Sequence, residues 1–200
     1  MKHHNLHLPR YCFSLVLSLM LITFSTNTGA QVKYRSEDLT VSVKGTSSLH
    51  DWEMKTNRGK VEAVLLLGPD YKITGVSGLR FTVESESLKS GHSLMDNNTY
   101  KALKTDNFSN ILFVLSSATI SQTDANTYLL KCMGNLTIAG KTRETDLVAS
   151  CKLNGNGVFT CSGTKNLKMS DFGVKAPTVL MGTVKTGNDV SIGFNLKIVK

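Results

Sequence analysis

The sequence predicts an all-β protein, an extended antiparallel β-barrel with one short helix. Three observations carry this. Apolar and polar residues alternate with a period of two along seven stretches of the chain. Clusters of Gly, Asn, Asp and Pro separate those stretches at short intervals, which makes sequential strands antiparallel neighbours. The 200 residues are 40% hydrophobic with only three prolines, enough apolar material for one core and too much for a disordered chain.

The first thirty residues read as an export leader. Lys2 and Arg10 stand in a region without acids. The mostly apolar run Tyr11-Cys-Phe-Ser-Leu-Val-Leu-Ser-Leu-Met-Leu-Ile-Thr-Phe24 follows, then the small residues of Thr28-Gly-Ala30. This is the n-region, h-region and cleavage-site order of a secretory signal. The run is shorter than the roughly 20 apolar residues of a membrane span. Cys12 precedes it without the small-residue box of a lipoprotein anchor. Cleavage after Ala30 leaves residues 31–200 as one periplasmic or secreted domain and lowers the net charge from +8 to +6.

Within that domain the alternation begins at Leu39-Thr-Val-Ser-Val43 and recurs, less cleanly, at Val61-Glu-Ala-Val-Leu-Leu-Leu67. Leu79-Arg-Phe-Thr-Val83 and Ile111-Leu-Phe-Val-Leu115 come next. Leu130–Ile138, Leu147–Leu153 and Val190–Ile198 complete the set. Turns are expected at Gly68-Pro-Asp70, Ala139-Gly-Lys141, Asn154-Gly-Asn-Gly157 and Thr186-Gly-Asn-Asp189. One stretch has helical spacing. Ser93-Leu-Met-Asp96 fits a capping box with Asp in the acidic position, and Leu94, Met95, Ala102 and Leu103 recur on one face, giving a helix over 93–105.

The residues Phe81, Val83, Phe113, Leu115, Leu136, Ile138, Leu147, Ile192, Phe194 and Leu196 form one apolar face. Arg80, Thr82, Glu84, Lys131, Asn135, Thr137, Asn195 and Lys197 form the opposite one. A one-sided face over many hairpins fits a barrel closed on its inside, and a two-sheet sandwich nearly as well. If the hairpin at 154–157 centres on Asn156, Cys151 and Cys161 stand directly opposite, a placement a disulfide can use. That predicts a Cys151–Cys161 bridge with Cys132 as a buried thiol; two reduced core cysteines are the competing reading.

Several chemistries are excluded. His3, His4 and His7 leave with the leader, and no CxxC pair exists among Cys12, Cys132, Cys151 and Cys161, so a Cys/His zinc site is not expected. No cofactor is expected, since neither GxxxxGK[ST] nor GxGxxG occurs. The basic residues are scattered and aromatics are 7%, which does not make a nucleic-acid surface, although the positive balance suits an anionic membrane surface. His50 beside Asp51, with Ser47 and Ser48 nearby, could suggest nucleophilic catalysis. Adjacent residues on an extended strand point to opposite faces, however, and a strand corner with Trp52 plugging the core is expected instead. Ser162-Gly-Thr-Lys165, Ser170-Asp-Phe172 and Lys185-Thr-Gly187 imitate the penicillin-binding signature, but without the helix that chemistry requires. No enzymatic activity is expected.

Taken in order, several segments resemble the YceI-like family of exported lipid-binding proteins. They are Gly45-Thr-Ser-Ser-Leu-His-Asp-Trp-Glu-Met54, Leu94-Met-Asp96 through Lys104, Asn107-Phe-Ser-Asn-Ile-Leu-Phe113, Gly134-Asn-Leu-Thr-Ile-Ala-Gly-Lys-Thr142, Met169-Ser-Asp-Phe-Gly173 and Gly187-Asn-Asp-Val190. Ser109 stands where the family usually has proline, and the His50-Asp-Trp52 version replaces the family's common early His motif. The resemblance implies a lipocalin-like barrel holding a long isoprenoid or fatty-acyl chain, and it allows a dimer. The apolar face, with Gly134 and Ala149 leaving room beside Phe81, Phe113 and Phe194, is then the lumen wall. His50, Lys101 and Arg143 are candidates to meet a polar head group at the mouth. The alternative is a structural or stress-related envelope protein whose lumen holds no ligand.

Overall fold

The computed structural model describes residues 30–179 and 183–200. The leader, except Ala30, lies outside them. Alternation becomes strand throughout. The strands are β1 (Ala30–Ser47), β2 (Trp52–Thr56), β3 (Gly59–Leu67), β4 (Ile73–Glu84), β5 (Asn110–Asp124), β6 (Thr127–Ile138), β7 (Lys141–Leu153), β8 (Phe159–Lys168), β9 (Thr178–Val179) and β10 (Val184–Val199). One helix, α1 (Ser93–Leu103), lies between β4 and β5.

The sheet closes on itself. β3 and β10 both pair with β1, and the circuit β1-β3-β4-β5-β6-β7-β8-β10 makes an eight-stranded antiparallel barrel. Closure removes both sheet edges, which a sandwich would keep. β2 continues along β1 beyond β3, pairing Gly45–Val41 with Trp52–Thr56.

The turns fall where Gly and Asn allow positive φ, at Ala139-Gly140 and at Gly155, Asn156 and Gly157. The second hairpin centres on Asn156, so Cys151 pairs with Cys161 and the two form a disulfide. Cys132 remains a free buried thiol, and burial raises its pKa.

Three local expectations are corrected. Thr186-Gly-Asn-Asp189 is not a turn but part of β10. Gly45 pairs with Val190 and Ser47 with Thr186, so the extra residues are taken up as a bulge against β1. Asn188 is held there by Ser170, accepting from its N–H at 2.9 Å and donating to its Oγ at 2.9 Å. The capping box also fails to form. His92 precedes the helix, and its side chain caps nothing. Asp96 instead reaches backwards and accepts from the Ser90 N–H and Oγ, both at 2.7 Å. The helix stops at Leu103, not 105, because Lys104 turns left-handed at φ 55°.

The core divides in two. Most of the barrel interior packs solid around Tyr34, Leu65, Tyr128, Phe159 and Leu196. A second cluster gathers Met54, Leu88, Leu103, Ile138, Phe172 and Val174 beneath α1. Glycines let the wall close against the aromatic rings of the inner cavity. A Cβ on Gly134 would lie 2.4 Å from the Val114 carbonyl and 2.6 Å from the Phe113 ring. One on Gly163 would lie 2.3 Å from the Val148 carbonyl and 2.5 Å from the Phe194 ring. Gly134 therefore seats the Phe113 ring rather than leaving space beside it. Gly163→Ala is expected to cost about 1–3 kcal/mol of stability by overpacking, read as a lowered urea midpoint at unchanged slope.

Candidate functional site

The open end of the barrel is built from segments without strand periodicity. The β1–β2 corner is fixed by Ser47, whose hydroxyl donates to the His50 carbonyl at 2.7 Å and accepts from the Leu49 and His50 N–H groups. Ser48 exchanges backbone and side-chain bonds with Lys185. Trp52 lies flat over Gly45 and donates Nε1–H to the Thr46 carbonyl at 3.0 Å. It packs against the second core cluster and forms part of a cavity wall.

Helix α1 covers this end. Tyr100 donates to the Leu88 carbonyl at 3.0 Å and receives Lys89 Nζ at 2.5 Å, a bond that raises the Lys89 pKa. Thr99 Oγ1 contacts Met54 Sδ at 3.3 Å. The helix thus sits across the mouth without filling it.

Beneath it lies a cavity of about 710 Å³, within the range of about 300–1,000 Å³ of small-molecule sites. Its floor and walls are Val43, Met54, Leu88, Ile111, Ile138, Leu167 and Ile192, with Met95, Ala102 and Leu103 from α1 and Phe172 and Val174 opposite. Polar groups enter only at Ser47, His50, His92, Asn98, Thr99, Thr178 and Thr186. Among the described residues, no Lys, Arg, Asp or Glu lines it. A second, inner cavity of about 90 Å³ shares Val43, Leu88, Ile111 and Ile192 with the first and continues toward Phe81, Phe113 and Phe194.

The sequence-read wall divides accordingly. Ile138 and Ile192 line the large cavity, while Phe81, Val83, Phe113, Leu136, Leu147, Phe194 and again Ile192 line the inner one. Leu115, Ala149 and Leu196 lie outside both and pack in the solid core. Of the head-group candidates, His50 lines the mouth. Lys101 is exposed on α1 and lines neither cavity, and Arg143 donates to the Asp171 carbonyl at 3.1 Å instead. Trp52, Leu88, Met95, Phe172 and Val174 belong to the large cavity but lay outside the sequence-read wall. Met95 lies on the apolar face of the helix and Trp52 and Phe172 lie in segments that resemble the family, whereas Leu88 and Val174 carry no sequence signal.

The catalytic imitations are structural. His50 Nδ1 donates to the Asp51 carbonyl at 2.7 Å, not to its carboxylate, and the Ser47 hydroxyl is committed to backbone. Ser170 serves Asn188, and Lys165 pairs with Asp146.

A family model for the YceI-like domain matches residues 24–198. The chain belongs to the YceI-like family. Among solved structures, the YceI-like barrel is similar to BcnA of Burkholderia cenocepacia, at 21% identity and TM-score 0.63 over 81% of this chain and 96% of that one. It is also similar to a polyisoprenoid binding domain from Saccharophagus degradans implicated in plant cell wall breakdown, at 9% identity and TM-score 0.60 over 82% and 97%. A Campylobacter jejuni YceI protein matches at 19% and TM-score 0.50 over 68% and 79%. At these identities the likeness is one of fold. No curated protein matches the sequence significantly. Among the described residues of this YceI-like chain, no helix is long and apolar enough to cross a membrane.

Proposed function

We propose that this protein is an exported carrier that holds a long-chain isoprenoid or fatty-acyl lipid in its barrel, without covalent chemistry. The observation that carries this reading is the large, almost wholly apolar cavity under α1 at the open end of a closed barrel. A lumen packed solid throughout would have favoured the structural-protein alternative. Each buried methylene contributes about 0.8 kcal/mol, so roughly twenty of them offset an association cost of about 4–15 kcal/mol with little polar help. The Saccharophagus neighbour is itself named as polyisoprenoid-binding, which supports the same class of ligand.

Residues 1–30 act as the leader and 31–200 as the carrier. The ligand enters past His50 and His92, between Leu49 and Leu94. These are the two most exposed large hydrophobics, at 70% and 66%, and both line the cavity mouth. An apolar rim on a protein of net charge +6 suits lipid exchange at an anionic membrane surface.

Native mass spectrometry of protein purified from its host, followed by organic extraction, is expected to release a long-chain lipid. Ala102→Trp, which puts an indole into the cavity from α1, is expected to weaken uptake of a fluorescent fatty acid at least about tenfold, equivalent to displacing roughly two methylenes. An unliganded mass together with no uptake by the wild type would overturn the carrier reading.

A further inference from the structure

The β7–β8 seam of the barrel wall, like the β4–β5 seam, is laddered over only part of its length. β7 is bonded to β6 along its whole length to Lys141, and β8 to β10 as far as Lys168. Yet β7 and β8 pair with each other only from Ser150–Leu153 to Phe159–Ser162, next to their hairpin. Beyond Ser162 the ladder stops, although Gly163 still lies against the Val148 carbonyl. The bond from Arg143 to the Asp171 carbonyl ties the far end, and the unladdered stretch between, 145–147 beside 164–166, is a slot in the hydrogen bonding of the wall.

Lys165 occupies that slot in an unusual way. It follows Phe159, Cys161 and Gly163 on the inward register of β8 and pairs with Ile192. With Thr145 it lines the inner cavity, whose other walls are apolar. Among the described residues it is the one Lys, Arg, Asp or Glu lining either cavity. Its ammonium nevertheless reaches Asp146, on the outward register of β7, at 2.5 Å. A side chain can cross the wall in this manner only where no ladder of hydrogen bonds blocks it. Lys165 is 23% exposed and Asp146 62%, so the carboxylate partner is mostly in water and exchangeable, whereas the lysine is largely within the wall.

We infer that the β7–β8 slot is a binding site for the carboxylate of a long-chain acid, with Lys165 as its cation and Asp146 as the stand-in anion that holds the ammonium when no acid is bound. The inference rests on the lipid-carrier reading and deepens it. The acid lies with its carboxylate at the slot and its tail running past Val43, Leu88 and Ile111 into the large cavity. A charged ammonium beside an apolar chamber is compensated in both states, first by Asp146 and then by the ligand.

The test compares palmitic acid with cetyl alcohol, at a pH where the acid is ionised, on delipidated wild type, Lys165→Met and Asp146→Asn. Lys165→Met is expected to bind the acid about tenfold more weakly with alcohol binding and melting temperature unchanged. Asp146→Asn is expected to bind the acid more tightly and the alcohol as before. Equal preference for acid and alcohol in all three proteins would overturn the site, as would parallel loss of both ligands in Lys165→Met. Failure of the wild type to bind either lipid would instead overturn the carrier reading beneath it.

Discussion

Replacing Phe159 by alanine is expected to lower the melting temperature by roughly 6–20 °C, from a loss of about 3–5 kcal/mol at about 2–4 °C per kcal/mol. Phe159 is 0% exposed and stands at the centre of the solid half of the barrel. Tyr34 and Tyr128 meet its ring edge to face, with centroids at 5.6 and 6.5 Å. It also joins β8 to β7 through Leu153 and to β10 through Ile198. Truncation opens a void among three strands whose backbones are fixed by hydrogen bonds on both sides, so the site collapses little and the cost lies high in the range for such changes. Calorimetry on the purified domain checks this. A shift under about 2 °C would mean that the stability resides elsewhere.

The disulfide is expected to matter nearly as much. Its cysteines are separated by 10 residues, and loop-closure entropy for a loop of that length corresponds to about 3 kcal/mol. The double variant Cys151→Ala, Cys161→Ala should therefore melt roughly 6–12 °C lower. Thiol titration of unfolded, unreduced residues 31–200 should find Cys132 alone reactive, with Cys151 and Cys161 joining it only after a reductant. Because Cys161 lies two residues from Phe159 on the same inward face, the bridge variant and Phe159→Ala should couple and not simply add.

The barrel was legible in the sequence because period two and turn chemistry are local signals. Asn156 at a hairpin centre dictated register, and register dictated the cysteine pairing. The cavity was less legible for a physical reason. Alternation says that Leu115, Ala149 and Phe194 face inward, but not whether an inward residue meets another side chain or a void. That depends on the lid, and the lid is made of α1, whose helical period does not say what it covers, and of the Ser47–Asp51 corner and the segment around Phe172, which carry no period. Small residues misled for a related reason. Gly134 reads as space for a guest, yet the Phe113 ring takes that space. Polar residues with local appetites also escaped pattern reading. Asp96 had two nearby sets of donors, and the Ser90 amide and hydroxyl won over the helix N-terminus.

The pairing of β1 with β10 has a consequence for biogenesis. β10 sits between β1 and β8, so the first and last strands of the domain are neighbours. During synthesis the growing chain can zip hairpin by hairpin from β3 to β8, but it remains an open ribbon with two sticky borders until its final strand emerges. A barrel of this kind is kept from locking into its finished form until β10 has been made, so its interior stays accessible through all the pairing that precedes it.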